Sequence, residues 1–202
     1  MEAVIIDSGG ANLASLRFAF ERLGARTHVS CDAREIASAA RVVLPGVGSA
    51  ADAMQRLRRT GIAQVLPGLQ QPVLGICLGM QLLFERSAEG GTECLGVLPG
   101  TVQRLEAAPG RPVPHMGWNR LTRARPDPLL EGIEPGEYFY FVHSYAVPAS
   151  HAQSSWALAE VQYGQAVCAA VRRENFCGTQ FHPERSASAG ARLLANFLRS
   201  GS

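Results

Sequence analysis

Two short segments of this sequence hold the residue types that nucleophilic catalysis needs. The first is Gly75-Ile76-Cys77-Leu78-Gly79. An apolar run ends at Cys77, and Leu78, Met80, Gln81, Leu82, Leu83 and Phe84 favour a helix. Small residues on either side permit the sharp strand-to-helix turn of a nucleophile elbow. Such a turn puts the Cys77 sulfur at the positive end of a helix, which favours thiolate, the reactive form. The Leu78 N–H would point into the same space and can stabilise an oxyanion. Most cysteines are small buried hydrophobes, but a core cysteine does not need a tight turn.

The second segment is Gly178-Thr179-Gln180-Phe181-His182-Pro183-Glu184, in which His182 follows a strand-like run. In extended chain, residues two apart project to the same side, roughly 6.5–7 Å apart, and Pro183 favours that geometry at His182. Glu184 can then accept from one ring nitrogen of His182 and fix its tautomer. The other nitrogen is free to work on Cys77, giving nucleophile, base and orienting carboxylate. Alone, a His-x-Glu is common and usually inert; it gains meaning from the cysteine elbow. A third piece, Pro45-Gly46-Val47-Gly48, follows a strand-like run and offers amides that can approach a ligand closely. A second oxyanion donor could come from it, although by itself it reads as an ordinary turn.

These pieces need a scaffold that brings strand ends together. Residues 3–6 read as a short strand buried on both faces, and 27–30, 42–44 and 73–76 as further strands. Between them, Leu13, Leu16, Phe20 and Leu23 recur at helical spacing up to Gly24, Asp32 can cap a helix containing Ile36, and Ala50, Ala53, Met54 and Leu57 mark another helix. That rhythm implies a parallel sheet with right-handed crossovers, in which ligands bind at the carboxyl edge. Residues 96–105, 114–121, 138–147, 156–163, 166–172 and 178–182 look like strands divided by Pro and Gly turns, so antiparallel pairs extend the core. Leu193, Leu194, Phe197 and Leu198 close the chain as a helix. The expected fold class is α/β, with a mostly parallel central sheet flanked by helices and antiparallel additions in the C-terminal half. No linker or repeat divides residues 1–202, so one domain is expected.

Composition narrows the function further. The 202 residues are 47% apolar and 18% charged, with a net charge of +2, which argues against a large nucleic-acid footprint. All 19 cations are Arg, which excludes a Schiff-base lysine and a Walker-type phosphate loop. Five cysteines, Cys31, Cys77, Cys94, Cys168 and Cys177, at irregular spacing and without a C-x-x-C, suggest neither a disulfide framework nor a zinc site. With no signal-like N-terminus and no apolar run near 18 residues, the expectation is a cytoplasmic protein that engages no membrane.

Together, Gly-Ile-Cys-Leu-Gly-Met-Gln and the His-Pro-Glu some hundred residues later resemble the triad, or class I, glutamine amidotransferases, over nearly the whole chain. Within that group the sequence resembles the glutaminase subunits of imidazole glycerol phosphate synthase. The match rests on Val4-Ile5-Ile6-Asp7 leading to Asn12-Leu13, on Pro45-Gly46-Val47-Gly48, on Phe141-Val142-His143-Ser144-Tyr145, and above all on Pro114-His115-Met116-Gly117-Trp118-Asn119.

The resemblance implies a flavodoxin-like fold, no cofactor and no metal. It implies a Cys77 thiolate that attacks the side-chain amide of glutamine, with His182 as acid and base and Glu184 orienting it. Val47 and Leu78 would hold the oxyanion. Gly46, Gly48, Gln81, Glu89, His143, Ser144 and Tyr145 would contact glutamine, although Glu89 could be a solvated loop residue and His143 a satisfied structural histidine. The ammonia would pass to a (β/α)₈-barrel cyclase, with Asn12, Met116, Trp118, Asn119, Tyr140 and Arg185 near the interface or the ammonia passage.

Two departures stand out. The family usually has Asp-Tyr-Gly-x-Gly-Asn near the start, where this chain has Asp7-Ser8-Gly9-Gly10-Ala11-Asn12, so the loop expected near the partner loses an aromatic and a glycine. The family commonly has Lys after His-Pro-Glu, and here it is Arg185, a planar fork in place of a point charge. Rival readings are a glutaminase that feeds another synthase, a cysteine hydrolase of the same fold, and a catalytically silent assembly module.

Overall fold

In the computed structural model, which describes residues 1–8, 13–149 and 155–200, strands and helices alternate through the first 82 residues. They run β1 (Glu2–Ile6), α1 (Leu13–Arg22), β2 (Arg26–Ser30), α2 (Ala33–Ser38), β3 (Val42–Leu44), α3 (Ala50–Arg59), α4 (Ile62–Val65), β4 (Val73–Ile76) and α5 (Leu78–Leu82). Each crossover between parallel strands needs such a helix to cover the sheet. The expected cap at Asp32 is present, and the structure adds one at Ser49. Asp32 caps α2 by accepting from Arg34 N–H at 2.7 Å. Ser49 caps α3, whose last turn carries Arg56, Arg58 and Arg59 against the negative end of the helix dipole.

The second half is richer in strands: β5 (Phe84–Ser87), β6 (Thr92–Glu93), β7 (Leu98–Arg104), β8 (His115–Ala124), β9 (Tyr138–His143), β10 (Tyr145–Ala146), β11 (Ala157–Tyr163), β12 (Gln165–Arg173) and β13 (Phe176–Thr179), then α6 (Ala187–Arg199). The main sheet has the order β2-β1-β3-β4-β13-β12-β11-β8-β9. It is parallel from β2 through β13 and antiparallel from there to β9. A second sheet, β10-β7-β5-β6, lies beside it.

Alternating side chains of the parallel strands feed two cores. Ala3, Ile5, Val43, Leu74 and Ile76 pack with Phe20 of α1 and with Leu193, Leu194 and Phe197 of α6. Val4, Ile6, Val42, Leu44 and Val73 pack with Ile36, Met54, Leu57 and Ile62 on the other face. Burial on both faces is why these strands read as continuous apolar runs.

Three expectations need correction. The helix after Cys77 stops at Leu82, and Phe84 begins a strand; the apolar run there has no period that separates helix from strand. The expected strand at 138–147 breaks at Ser144, and its halves join different sheets. The strand expected at 178–182 ends at Thr179, and Pro183–Arg185 forms a 3₁₀ turn. β5, β6 and α4 have no counterpart among the expected elements.

Candidate active site

Cys77 ends β4 and starts α5, with φ 53 and ψ −111. A residue with a side chain holds such angles only when its surroundings impose them. Here the glycines do so by letting backbone approach backbone. A Cβ on Gly79 would sit 1.8 Å from the Leu44 carbonyl oxygen, and one on Gly75 would sit 2.7 Å from the Gly79 oxygen. A Cβ on Gly46 would lie 2.8 Å from Gly79 N and from Leu78 Cβ. The loop carrying Val47 is thereby pressed against the first turn of α5, beside Leu78. The amides of a first helical turn have no partner within the helix, so Leu78 N–H is available where the sulfur stands.

β13 pairs with β4 in parallel register, Thr179 beside Ile76, so residues just past β13 arrive next to Cys77. His182 there is backed by Glu184, with Nδ1 2.8 Å from Glu184 Oε1. The contact is made by the 3₁₀ turn and not by alternation along a strand, which corrects the expected geometry. His182 Nε2 and Glu184 Oε2 are buried without full hydrogen bonds. Burial pushes the His182 pKa down, but the neighbouring Cys77 and the hydrogen-bonded Glu184 outweigh it and raise the pKa to about 10. Both neighbours favour the protonated ring, the form that pairs with a thiolate. Its Nε2 makes no geometrically complete hydrogen bond.

A cavity of about 410 Å³ opens over these groups. Its wall includes Cys77, His182 and Glu184, the proposed oxyanion residues Val47 and Leu78, and Gly46, Gly48, Gln81, Glu89, His143, Ser144, Tyr145 and Arg185. It stands at the carboxyl ends of β3 and β4, beside the point where strand order reverses about β1, as open α/β sheets place their ligands. Its size lies within the ~300–1,000 Å³ of small-molecule sites.

Several side chains have partners inside the protein. Glu89 Oε2 accepts from Ala50 N–H at 2.7 Å, so this carboxylate also holds the first turn of α3. Gln81 Nε2 donates to Tyr145 O at 2.8 Å and Gln180 Oε1 at 2.9 Å, leaving Oε1 for a ligand. His143 is saturated: Nδ1 lies 2.8 Å from Tyr145 O, and Nε2 lies 3.0 Å from His115 Nδ1. Burial depresses both histidines, His143 to about 3 and His115 to about 4. The structural alternative for His143 is thus the one its bonds favour; a neutral ring with both nitrogens occupied has no polar atom left for glutamine.

Met116, Trp118 and Tyr140 share the outer face of the β8–β9 pair at the sheet edge. Met116 is 63% and Trp118 53% exposed. Trp118 meets Tyr140 edge-on with centroids 6.0 Å apart, and Arg185 stacks 4.5 Å above the Tyr140 ring. A planar guanidinium suits that stack better than an ammonium. Asn119 does not join this surface. One residue on, it turns to the opposite face and bonds His115 and Gln162 O. Asn12 lies outside the described residues.

Two residues near the site carried no assigned role in the sequence. Ser8 opens the loop expected near the partner. It is buried, and its hydroxyl donates to Pro45 O at 2.8 Å, at the base of the Val47 loop. Gln180 is fully buried beside Cys77. Its place two residues before His182 was the available signal.

Fold and site define a class-I glutamine amidotransferase, the family to which this chain belongs: the family model for glutamine amidotransferase class-I matches residues 4–200. Two solved structures share the fold. One is a glutamine amidotransferase with TM-score 0.73, 21% identical, covering 97% of this chain and 96% of that one. The other is PurLQS from Thermotoga maritima, with TM-score 0.70, 20% identical, covering 98% and 97%.

Curated relatives narrow the family. The imidazole glycerol phosphate synthase subunit HisH of Xylella fastidiosa strain Temecula1 is 55% identical over 98% of this chain and 96% of its own length. The HisH subunit of Shewanella oneidensis is 48% identical over the same shares. The chain is therefore a HisH-type glutaminase, an enzyme that acts as one subunit of a synthase. No helix among the described residues is long and apolar enough to cross a membrane, and no group of three or more His, Cys, Asp or Glu among them could hold a metal.

Proposed function

We propose that the Cys77 thiolate attacks the side-chain carbonyl carbon of L-glutamine while Leu78 and Val47 amides receive the oxyanion. The tetrahedral adduct collapses as its C–N bond breaks. His182 gives its proton to the departing ammonia, leaving a glutamyl thioester on Cys77. The now neutral His182 takes a proton from water, and the hydroxide carbon–oxygen bond forms as the thioester C–S bond breaks. Glutamate leaves, with thiolate and imidazolium restored. Glu184 holds the ring throughout. Glu89 and the Gln81 carbonyl oxygen would read the α-ammonium and amide ends of the substrate.

The ammonia passes to a (β/α)₈-barrel cyclase subunit, which uses it to form imidazole glycerol phosphate in histidine biosynthesis in the cytoplasm. The surface of exposed Met116 and Trp118 with half-buried Tyr140, beside Arg185, supports docking there, because aromatic and Arg side chains dominate interface anchors. One observation carries the reading: Cys77, the His182–Glu184 pair and the Val47 loop converge on one cavity. The test is glutamate release with and without the cyclase and its nucleotide ligand. The isolated chain should turn over slowly and accelerate in the liganded complex. Cys77→Ala should abolish glutamine-dependent synthesis, by several orders of magnitude, and leave ammonia-dependent synthesis intact. Loss of both activities would make Cys77 structural.

A further inference from the structure

We infer that Gln180 is a further catalytic residue, whose carboxamide N–H holds the Cys77 sulfur in an orientation fixed through Gln81. The inference rests on the proposed role of Cys77 as nucleophile. Gln180 Nε2 lies 3.8 Å from Cys77 Sγ, within reach of a donor to sulfur, and Gln180 is 0% exposed. A buried carboxamide must satisfy its polar atoms inside the protein.

The orientation follows from donor and acceptor identity. Tyr145 O is a backbone carbonyl and can only accept, so the Gln81 group 2.8 Å away is its NH₂. That same NH₂ meets Gln180 at 2.9 Å, so the atom facing it is the Gln180 oxygen. The Gln180 NH₂ is then turned to Cys77. A flipped Gln180 would set donor against donor, and would turn an oxygen on the sulfur. The Gln180 backbone N–H, bonded to Ala169 O at 2.8 Å, ties the residue to β12.

The anchor at Tyr145 O is shared with a second chain of bonds. Asn119 Nδ2 donates to Gln162 O at 3.0 Å and to His115 Nε2 at 3.2 Å. His115 Nδ1–H then donates to His143 Nε2, and His143 Nδ1–H donates to Tyr145 O. Backbone carbonyls at both ends permit only this polarity. Both rings are neutral, in accord with their depressed pKa values. Asn119, His115 and His143 are positioning residues, Gln81 adds that part to its substrate contact, and Gln180 is the member that touches the reacting atom.

Its chemical effect depends on the charge of the sulfur. As a thiol, Cys77 donates to Val142 O at 3.7 Å. On ionisation that contact turns unfavourable, while the Gln180 N–H bond becomes charge-assisted and strengthens. Gln180 therefore favours the thiolate, which attacks glutamine and leaves when the thioester breaks.

The test uses the full chain in complex with its cyclase, with iodoacetamide alkylation of Cys77 followed peptide by peptide across pH, alongside glutamate release. Gln180→Met removes the donor. Gln180→Glu keeps volume and the bond from Gln81 but turns an oxygen on the sulfur, and carries the test should the Met variant not fold. A hydrogen bond to a charged group is of a size that slows alkylation near neutral pH about 10–100-fold in Gln180→Met. Gln180→Glu should be slower still, with kcat falling alongside and KM changing much less. The fully buried Cys168 and Cys177 should stay unlabelled in both variants. Wild-type alkylation rates and pH profiles in the variants overturn the inference. So does slowing that appears only together with Cys168 and Cys177 labelling, which would trace it to a loosened core. Should Cys77→Ala retain glutamine hydrolysis, the nucleophile reading itself falls, whatever the Gln180 variants do.

Discussion

Gly79, the second residue of α5, is packed so closely under β3 that a single methyl group tests how the elbow is built. Its Cβ would stand 1.8 Å from the Leu44 oxygen and 2.8 Å from the Leu44 carbonyl carbon. A carbon rests no closer than about 3.3 Å to a carbonyl oxygen, so Gly79→Ala must part β3 and α5 by about 1.5 Å. Backbone lies on both sides, and no flexible side chain can yield instead. Overpacking of this kind costs about 1–3 kcal/mol, or a fall in Tm of roughly 2–12 °C for a chain of this size.

The larger effect is on rate. Leu44 leads directly into the Val47 loop, and Gly79 follows Leu78, so the shift separates the two proposed oxyanion donors. A displacement of about 1 Å in a catalytic arrangement costs ~10²-fold, so glutamate release in the complex should fall by at least that factor. Ammonia-dependent synthesis should be unaffected. Gly68→Ala is the control, since a Cβ there meets nothing within 4 Å; its Tm and rate should match wild type. A Gly79→Ala chain with wild-type Tm and glutaminase rate would refute the account of the elbow.

Two further outcomes follow from the site and its rim. His182 has a folded pKa of about 10 against an ordinary 6.5, because Cys77 and Glu184 outweigh burial. Its charge thus stabilises the fold fully below pH 6.5, and that contribution is lost as pH rises through about 10. Thermal melts of wild type should show this decline, and Glu184→Gln should flatten it; an unchanged slope would mean that Glu184 does not hold the charge. At the sheet edge, Trp118→Ala removes a half-exposed ring from the surface around Tyr140. Cyclase affinity measured by calorimetry should weaken by about 30-fold or more, the scale of an interface hot spot, with Tm of the free chain nearly unchanged. Unaltered affinity would move the interface elsewhere.

The elements that the sequence displays best are those whose signals are local. The β1, β3 and β4 runs, the cap at Asp32, and the elbow flanked by Gly75 and Gly79 each follow from a few adjacent residues. Leu83-Phe84 did not, because a short apolar run suits helix and strand alike and only its packing partners choose. The break at Ser144 had no local signal either, since it serves a second sheet formed with a strand some forty residues earlier.

The sequence by itself determined which residues meet at the site of this protein: a cysteine at a strand-to-helix turn, a histidine with a carboxylate two residues on, and a glycine loop. Those are properties of residue type and short spacing, which chain order preserves. The tertiary structure alone decided which polar atoms remain free. It committed His143 and Asn119 to internal bonds, drew Ser8 under the Val47 loop and turned Gln180 toward the sulfur. Donor and acceptor matching is settled by groups from distant strands. A buried polar atom must take whichever partner the packed fold brings within about 3 Å.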